Sequence, residues 1–177
     1  LKLLSELLRT GSTRVPWWRH GGGDFPIREL HLPDGASTTV LPVAADLLAP
    51  PIAARVADLV TCYHVIDNVR EPVNMIRQLH AVLRIGGTLV LATPYDWVER
   101  CTPREQRLGE SVRATVEQGP DPAMALIDLL TGRLQALAPE LSMEIVKEEQ
   151  AVPWVLLRHR RSAHVFLDHY VEAVRRD

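Results

Sequence analysis

Cysteine is scarce: Cys62 and Cys101 are the only two in 177 residues. They stand apart and outside any CxxC pair, so neither a zinc site nor a redox motif has support. Two are also too few for a disulfide framework, which makes a reducing, cytoplasmic setting the expectation. No apolar run reaches the length of a membrane-spanning helix, and no charged-then-apolar leader opens the chain. An excess of one charge is missing as well. The 20 Lys and Arg against 22 Asp and Glu leave a formal net charge of -2, so no global field draws the chain to nucleic acid or to an anionic membrane. The local basic run at Arg158, Arg160 and Arg161 reads first as a solvated element end. His159, His164 and His169 have no carboxylate partner at a ligand spacing, so no metal is expected.

What is present is the balance of a soluble globular protein, with 46% hydrophobic and 24% charged residues. The length fits one domain spanning residues 1–177. Leu1 to Arg9 reads as a helix with Leu3, Leu4, Leu7 and Leu8 on one face and Gly11 as its stop. Pro16 to Pro33 reads as loop or irregular hairpin, with Gly21, Gly22 and Gly23 in a row. No strand precedes that triplet and no helical pattern follows it. A phosphate cradle there is disfavoured, because such a cradle needs a helix N-terminus.

Thr38 to Ala45 is rich in β-formers and ends at Asp46, which predicts a buried strand interrupted or terminated near Pro42. Ala57 to Val65 (ADLVTCYHV) is a second, mostly apolar strand, as expected of a parallel strand covered on both faces. Glu71 to Leu83 is an amphipathic helix with Pro72 in its first turn and Val73, Ile76, Leu79, His80 and Leu83 inward. Gly86 and Gly87 are read as its end, and Thr88 to Ala92 as the third strand. Thr102 to Val116 reads as a polar helix or lid, Pro122 to Ala138 as a long amphipathic helix, and Met143 to Val146 as a strand. Ala163 to Val174 fits either a helix or a strand. The strand–helix–strand spacing argues for an α/β chain with a βαβ unit and a parallel sheet. Ligands of such sheets sit beyond the carboxyl ends of the strands, so the loops after Ala45, Cys62 and Ala92 share one rim.

The run ADLVTCYHVIDNVREPVNMIRQLHAVLRIGGTLVLATPYDW, Ala57 to Trp97, resembles class I S-adenosylmethionine-dependent methyltransferases in the order and spacing of its pieces. A narrower likeness follows in Thr93-Pro94-Tyr95-Asp96-Trp97, Thr102-Pro103-Arg104-Glu105, Leu108-Gly109 and Val152-Pro153-Trp154. These, with the Arg158 to Arg161 run, resemble the methyltransferases assigned to 4-mercaptohistidine N1-methylation in ovothiol formation. Arg107 departs from that pattern, where an aromatic would be expected. The resemblance implies a Rossmann-like sheet, mostly parallel, with an antiparallel C-terminal strand. It also implies S-adenosylmethionine as cofactor and a small thiol-histidine or other imidazole as methyl acceptor.

Methyl transfer from a sulfonium is an in-line displacement, so the protein's task is to hold donor and acceptor collinear. Asp46 is placed to accept a hydrogen bond from the adenine amine, with Leu47 beside the ring. Its alternative role is to cap the turn that follows. Tyr63, His64 and Asp67 follow the next strand, under the cofactor and facing the acceptor. Tyr63 and Asp67 would touch the cofactor, and Tyr63 and His64 would flank the transfer point. A histidine can exchange a proton near neutrality. Its bland alternative is a hydrogen-bonded rim residue. Asp67-Asn68 could instead cap the helix near Pro72. Tyr95, Asp96 and Trp97 form an aromatic-acidic cradle for a small acceptor, with ordinary rim packing as the alternative. Arg158 could clamp an acceptor carboxylate, or be solvated.

The Gly-rich strand–turn–helix that grips the methionine end in this family is not found in the chain, whose first residue is Leu1. The expectation is therefore an incomplete sheet lacking its first two strands, with unpaired backbone at its edge. On that view the chain alone neither binds the cofactor tightly nor turns over. An upstream or homologous subunit would complete it. The competing view is a non-catalytic methyltransferase-like subunit or a truncated remnant.

Overall fold

The computed structural model describes residues 2–16, 27–32, 40–110, 121–159 and 161–177. The chain divides into two compact units, residues 1–45 with 157–164, and residues 46–156 with 165–177.

The first unit opens with helix α1 (Lys2–Thr10). Gly11, at φ 77°, ends it by donating its N–H to the Leu7 carbonyl at 2.9 Å. Strands β1 (Ser12–Pro16) and β2 (Ile27–His31) then pair antiparallel, with Ser12 opposite His31. The segment read from sequence as loop or hairpin thus contains a paired strand. The glycine triplet lies outside the described residues. The strand expected over Thr38 to Ala45 is not formed over its described part, residues 40–45. Pro42 offers no N–H to a ladder, and Val40, Leu41 and Val43 are all exposed. β-Propensity without a neighbouring strand to pair with does not make a strand.

The second unit is built on a four-stranded mixed sheet. Its elements are β3 (Ala57–Tyr63), α2 (Pro72–Val82), β4 (Leu83–Thr93), α3 (Pro122–Leu130), residues 143–156 of β5 (Met143–His159) and residues 165–175 of β6 (Ser162–Arg175). The strand order is β3-β4-β6-β5. β3 and β4 run parallel, with Tyr63 opposite Ala92. α2 forms the crossover between them, as the sequence predicts. β6 runs antiparallel to β4, with His169 opposite Thr93. This is the α/β, Rossmann-like arrangement with an antiparallel C-terminal strand. The sheet is thus mixed, with β3–β4 parallel and β4–β6 antiparallel.

Several boundaries differ from the sequence reading for identifiable reasons. α2 stops at Val82, before the two glycines, because Leu83 turns extended at ψ 136° while its N–H bonds the His80 carbonyl. Gly86 and Gly87 therefore lie within β4. α3 stops at Leu130 and turns follow over 131–137. Gly132 at φ 75° reverses the chain there. The expected lid helix is a short 3-10 turn, Arg104–Gln106, and residues 111–120 lie outside the described ones. β5 is far longer than Met143 to Val146. The ambiguous C-terminal segment is strand β6, in which His169, Val171, Ala173 and Arg175 are alternately buried.

One apolar cluster holds the unit together. Met75, Ile76 and Leu79 of α2, Leu89 and Leu91 of β4, Leu126, Leu129 and Leu130 of α3, and Val171 and Ala173 of β6 share it. Each such large side chain contributes about 1.5–3 kcal/mol of transfer free energy on burial. Arg175, itself buried, reaches across this layer. Its Nη1 donates to the carbonyls of His80 and Leu83, 2.8 Å each, which fixes the end of β6 to the junction of α2 and β4.

Candidate functional site

Because β3 and β4 are parallel neighbours, their carboxyl ends lie side by side. The residues that follow each one take an uncommon backbone conformation. His64, after β3, has φ 55°, and Tyr95, two residues past the end of β4, has φ 56°. Non-glycine residues in this left-handed region are uncommon and concentrate at functional sites. The His64 N–H bonds the Ala92 carbonyl at 2.8 Å, which ties the two strand ends together.

Asp67 forms the second tie. It is buried, and its Oδ2 accepts the Asp96 backbone N–H at 3.0 Å, while Oδ1 accepts from Asn68 Nδ2 at 3.0 Å. Thr102 Oγ1 completes the knot by donating to the carbonyls of Asp67 and Val69, at 3.1 and 2.7 Å. Burial pushes the Asp67 carboxyl above the usual carboxylate range, and the hydrogen bonds it accepts oppose that. Both oxygens are engaged inside the protein.

Two polar residues in sequence on β6 meet the two strained rim residues. Asp168 Oδ2 lies 2.6 Å from His64 Nε2. The carboxylate is an acceptor, so the ring proton sits on Nε2. Asp168 Oδ1 is buried without a hydrogen-bond partner. Around His64, the half-exposed Trp154 lies 4.9 Å away between ring centroids, and Phe166 meets it edge-on at 6.1 Å. The neighbouring His169 places Nδ1 2.7 Å from the Tyr95 hydroxyl and Nε2 3.1 Å from Glu148 Oε1. Glu148 fixes the proton on His169 Nε2, so Tyr95 donates its hydroxyl to Nδ1. Burial pushes the Tyr95 phenol well above its usual range, with Asp121, Glu148 and Asp67 adding to the effect. Trp97 stands 6.1 Å from Tyr95, ring to ring.

Beside the Asp67 knot lies a cavity of about 540 Å³ lined by Asp46, Leu47, Leu48, Val69, Arg70, Glu71 and Asn74. Its volume is within the range of about 300–1,000 Å³ usual for small-molecule sites. Asp46 Oδ1 accepts the Leu48 N–H at 2.9 Å, so the turn-capping role is formed. The carboxylate is exposed at the cavity, with two leucines beside it. An acceptor flanked by apolar side chains fits the adenine portion of S-adenosylmethionine.

Of the residues singled out from sequence, Asp46 and Leu47 line this cavity. His64, Asp67, Tyr95, Asp96 and Trp97 meet at the adjacent strand ends. Tyr63 closes β3 with its side chain half exposed. The Arg158 side chain lies outside the described residues. Sequence reasoning missed Asp168 and Glu148 and weighed His169 only as a metal ligand. The available signal was the tandem Asp168-His169 inside a run of β-formers, where two buried polar groups need partners. No group of three metal-ligating side chains occurs among the described residues. No helix among them is long and apolar enough to cross a membrane.

Comparison with known proteins gives a match to part of the chain. A family model described as a methyltransferase domain matches residues 28–91, which includes the residues lining the Asp46 cavity, β3 and most of β4. No curated protein matches the chain. Among solved structures, a SAM-dependent methyltransferase from Methanosarcina mazei is 17% identical with a TM-score of 0.43, covering 75% of this chain and 65% of that one. The YcgJ protein from Bacillus subtilis is 11% identical with a TM-score of 0.43, over 75% of this chain and 70% of that one. A 16S rRNA (adenine(1408)-N(1))-methyltransferase (W203A mutant) from Catenulisporales acidiphilia is 20% identical with a TM-score of 0.40, over 75% of this chain and 57% of that one. The chain thus spans about 65% of the length of the first of these structures. Residues 28–91 carry a methyltransferase domain match, and that match indicates S-adenosylmethionine as the cofactor.

Proposed function

We propose that this rim binds S-adenosylmethionine and serves the transfer of its methyl group to a nitrogen of a small molecule, a thiol-histidine or related imidazole. The supporting observation is the adjacency of the Asp46 cavity to two tied, strained strand ends. Val69 lines the cavity, and its carbonyl shares the Thr102 hydroxyl with Asp67. In this reading Asp46 and Leu47 hold the adenine. Asp67 keeps the floor beneath the cofactor in register. Tyr63 and His64 flank the transfer point, and Tyr95, Asp96 and Trp97 face the acceptor. The cofactor supplies an already electrophilic methyl, so the residues need only align, exclude water and manage a proton.

The reading includes a partner. Among the described residues β3 is the last strand on its side of the sheet, and its Leu59 and Tyr63 are exposed. An exposed apolar strand edge is a template for a further strand. We assign that place to an upstream or homologous methyltransferase subunit. The second reading, a non-catalytic subunit, is favoured by one observation: Asp46 Oδ1 is already engaged in its turn.

The test follows a radiolabelled methyl group from S-adenosylmethionine to 4-mercaptohistidine, histidine or RNA. The chain is assayed alone and with a methyltransferase homologue. Label on an imidazole nitrogen is the expected result. Label in RNA alone would contradict the small-molecule acceptor, and no label anywhere would favour the non-catalytic subunit.

A further inference from the structure

We infer that His64 and Asp168 form a proton-accepting dyad, and that the methyl acceptor is therefore a group carrying a proton on the atom to be methylated, an azole N–H or a neutral amine. This rests on the proposed methyl transfer and specifies its substrate class. Asp168 is buried and fixed in β6, 2.6 Å from Nε2 of His64. With the proton held on Nε2, Nδ1 is the nitrogen carrying a lone pair. The His64 side chain keeps 26% of its surface open while Asp168 keeps 4%, so a ligand can reach the ring but not the carboxylate. The left-handed backbone at His64 is a cost of order 1–3 kcal/mol that packing must offset. The Asp168 contact and the Trp154 and Phe166 rings are what hold the ring in place. Asp168 Oδ1 is buried without a donor, so that oxygen makes no hydrogen bond inside the protein.

The step balances. The acceptor nitrogen forms its bond to the methyl carbon as the sulfonium carbon–sulfur bond breaks, and that bonding pair leaves on sulfur as a neutral thioether. The proton from the acceptor nitrogen passes to His64 Nδ1. The positive charge lost from the sulfonium ends on the imidazolium, facing Asp168. His64 is the catalytic residue, and Asp168 is a positioning residue that fixes its tautomer.

Two measurements separate this inference from the reading beneath it. Long-range ¹H–¹⁵N spectra of histidine-labelled protein report the tautomer without any turnover. The Nε2–H form in wild type, and a mixture in Asp168→Asn, is the expected result. An Nδ1–H ring in wild type would overturn the dyad. Methyl-transfer kinetics then test the role. His64→Gln should lower kcat at least a hundredfold, and Asp168→Asn should lower kcat with the KM for S-adenosylmethionine unchanged. Wild-type kcat in His64→Gln would overturn the inference. If wild type itself transfers no methyl group, the proposed function fails, and the tautomer alone decides whether the dyad exists.

Discussion

The buried carboxylate of Asp67 accepts the backbone N–H of Asp96 at 3.0 Å, joining the loops that follow two parallel strands. This bond, with the Thr102 hydroxyl on the Asp67 carbonyl, makes the two loops one structural unit. Asp67→Ala removes the acceptor of the Asp96 N–H, and losing one such hydrogen bond costs about 0.5–1.5 kcal/mol. Urea unfolding should show a lower midpoint at an unchanged slope. Asp67→Asn keeps one acceptor oxygen and should lose less. Equal stability of wild type and Asp67→Ala would show that the loops are held by other contacts.

His80 predicts an acid-sensitive fold. It is buried in α2, its Nε2 has no partner, and burial, then the nearby Arg175, pushes its pKa from 6.5 down to about 4. The folded state therefore binds the proton more weakly than the unfolded chain does. The His80 contribution is fully present above about pH 6.5 and is lost as pH falls towards 4, by at most about 3 kcal/mol. Thermal melts of wild type and His80→Gln between pH 7.5 and 4.5 check this. The variant should lose less stability across that interval. Parallel curves would contradict the assignment.

Gly132 predicts a backbone-specific requirement. It ends α3 at φ 75°, and a Cβ there would lie 2.6 Å from the Leu141 carbonyl oxygen. Gly11 has a similar φ of 77° but open space around it. Gly132→Ala should lower Tm clearly more than Gly11→Ala does, because it adds a backbone clash to the shared strain of about 1 kcal/mol. Equal shifts would mean that the Gly132 turn relaxes freely.

The parts of this molecule legible in the sequence are those written in local pattern. α2 was readable because Pro72 opens it and Ile76, Leu79 and His80 recur on one face, all three of them buried. β3 and β4 were readable as apolar runs on either side of it. That residues 40–45 form no strand was not readable, because β-propensity makes a strand only with a neighbour to pair with, and pairing is non-local. β6 was ambiguous for a related reason. Its alternation of His169, Val171, Ala173 and Arg175 carries polar residues on the buried face, so hydrophobicity alone does not reveal the period. The site divided in the same way. Loops after strand ends could be placed from the βαβ pattern. Asp168 could not, since it lies 104 positions from His64 and acquires its meaning only through sheet order.

The most direct test of the account is a titration of the ¹⁵N-labelled chain with S-adenosylhomocysteine, carried to millimolar ligand and read residue by residue in ¹H–¹⁵N spectra. The account predicts shifts at Leu47 and Leu48 and across Val69 to Asn74, with β1 and β2 unmoved. Unchanged spectra at saturating solubility, or shifts confined to residues away from the Asp46 cavity, would contradict it.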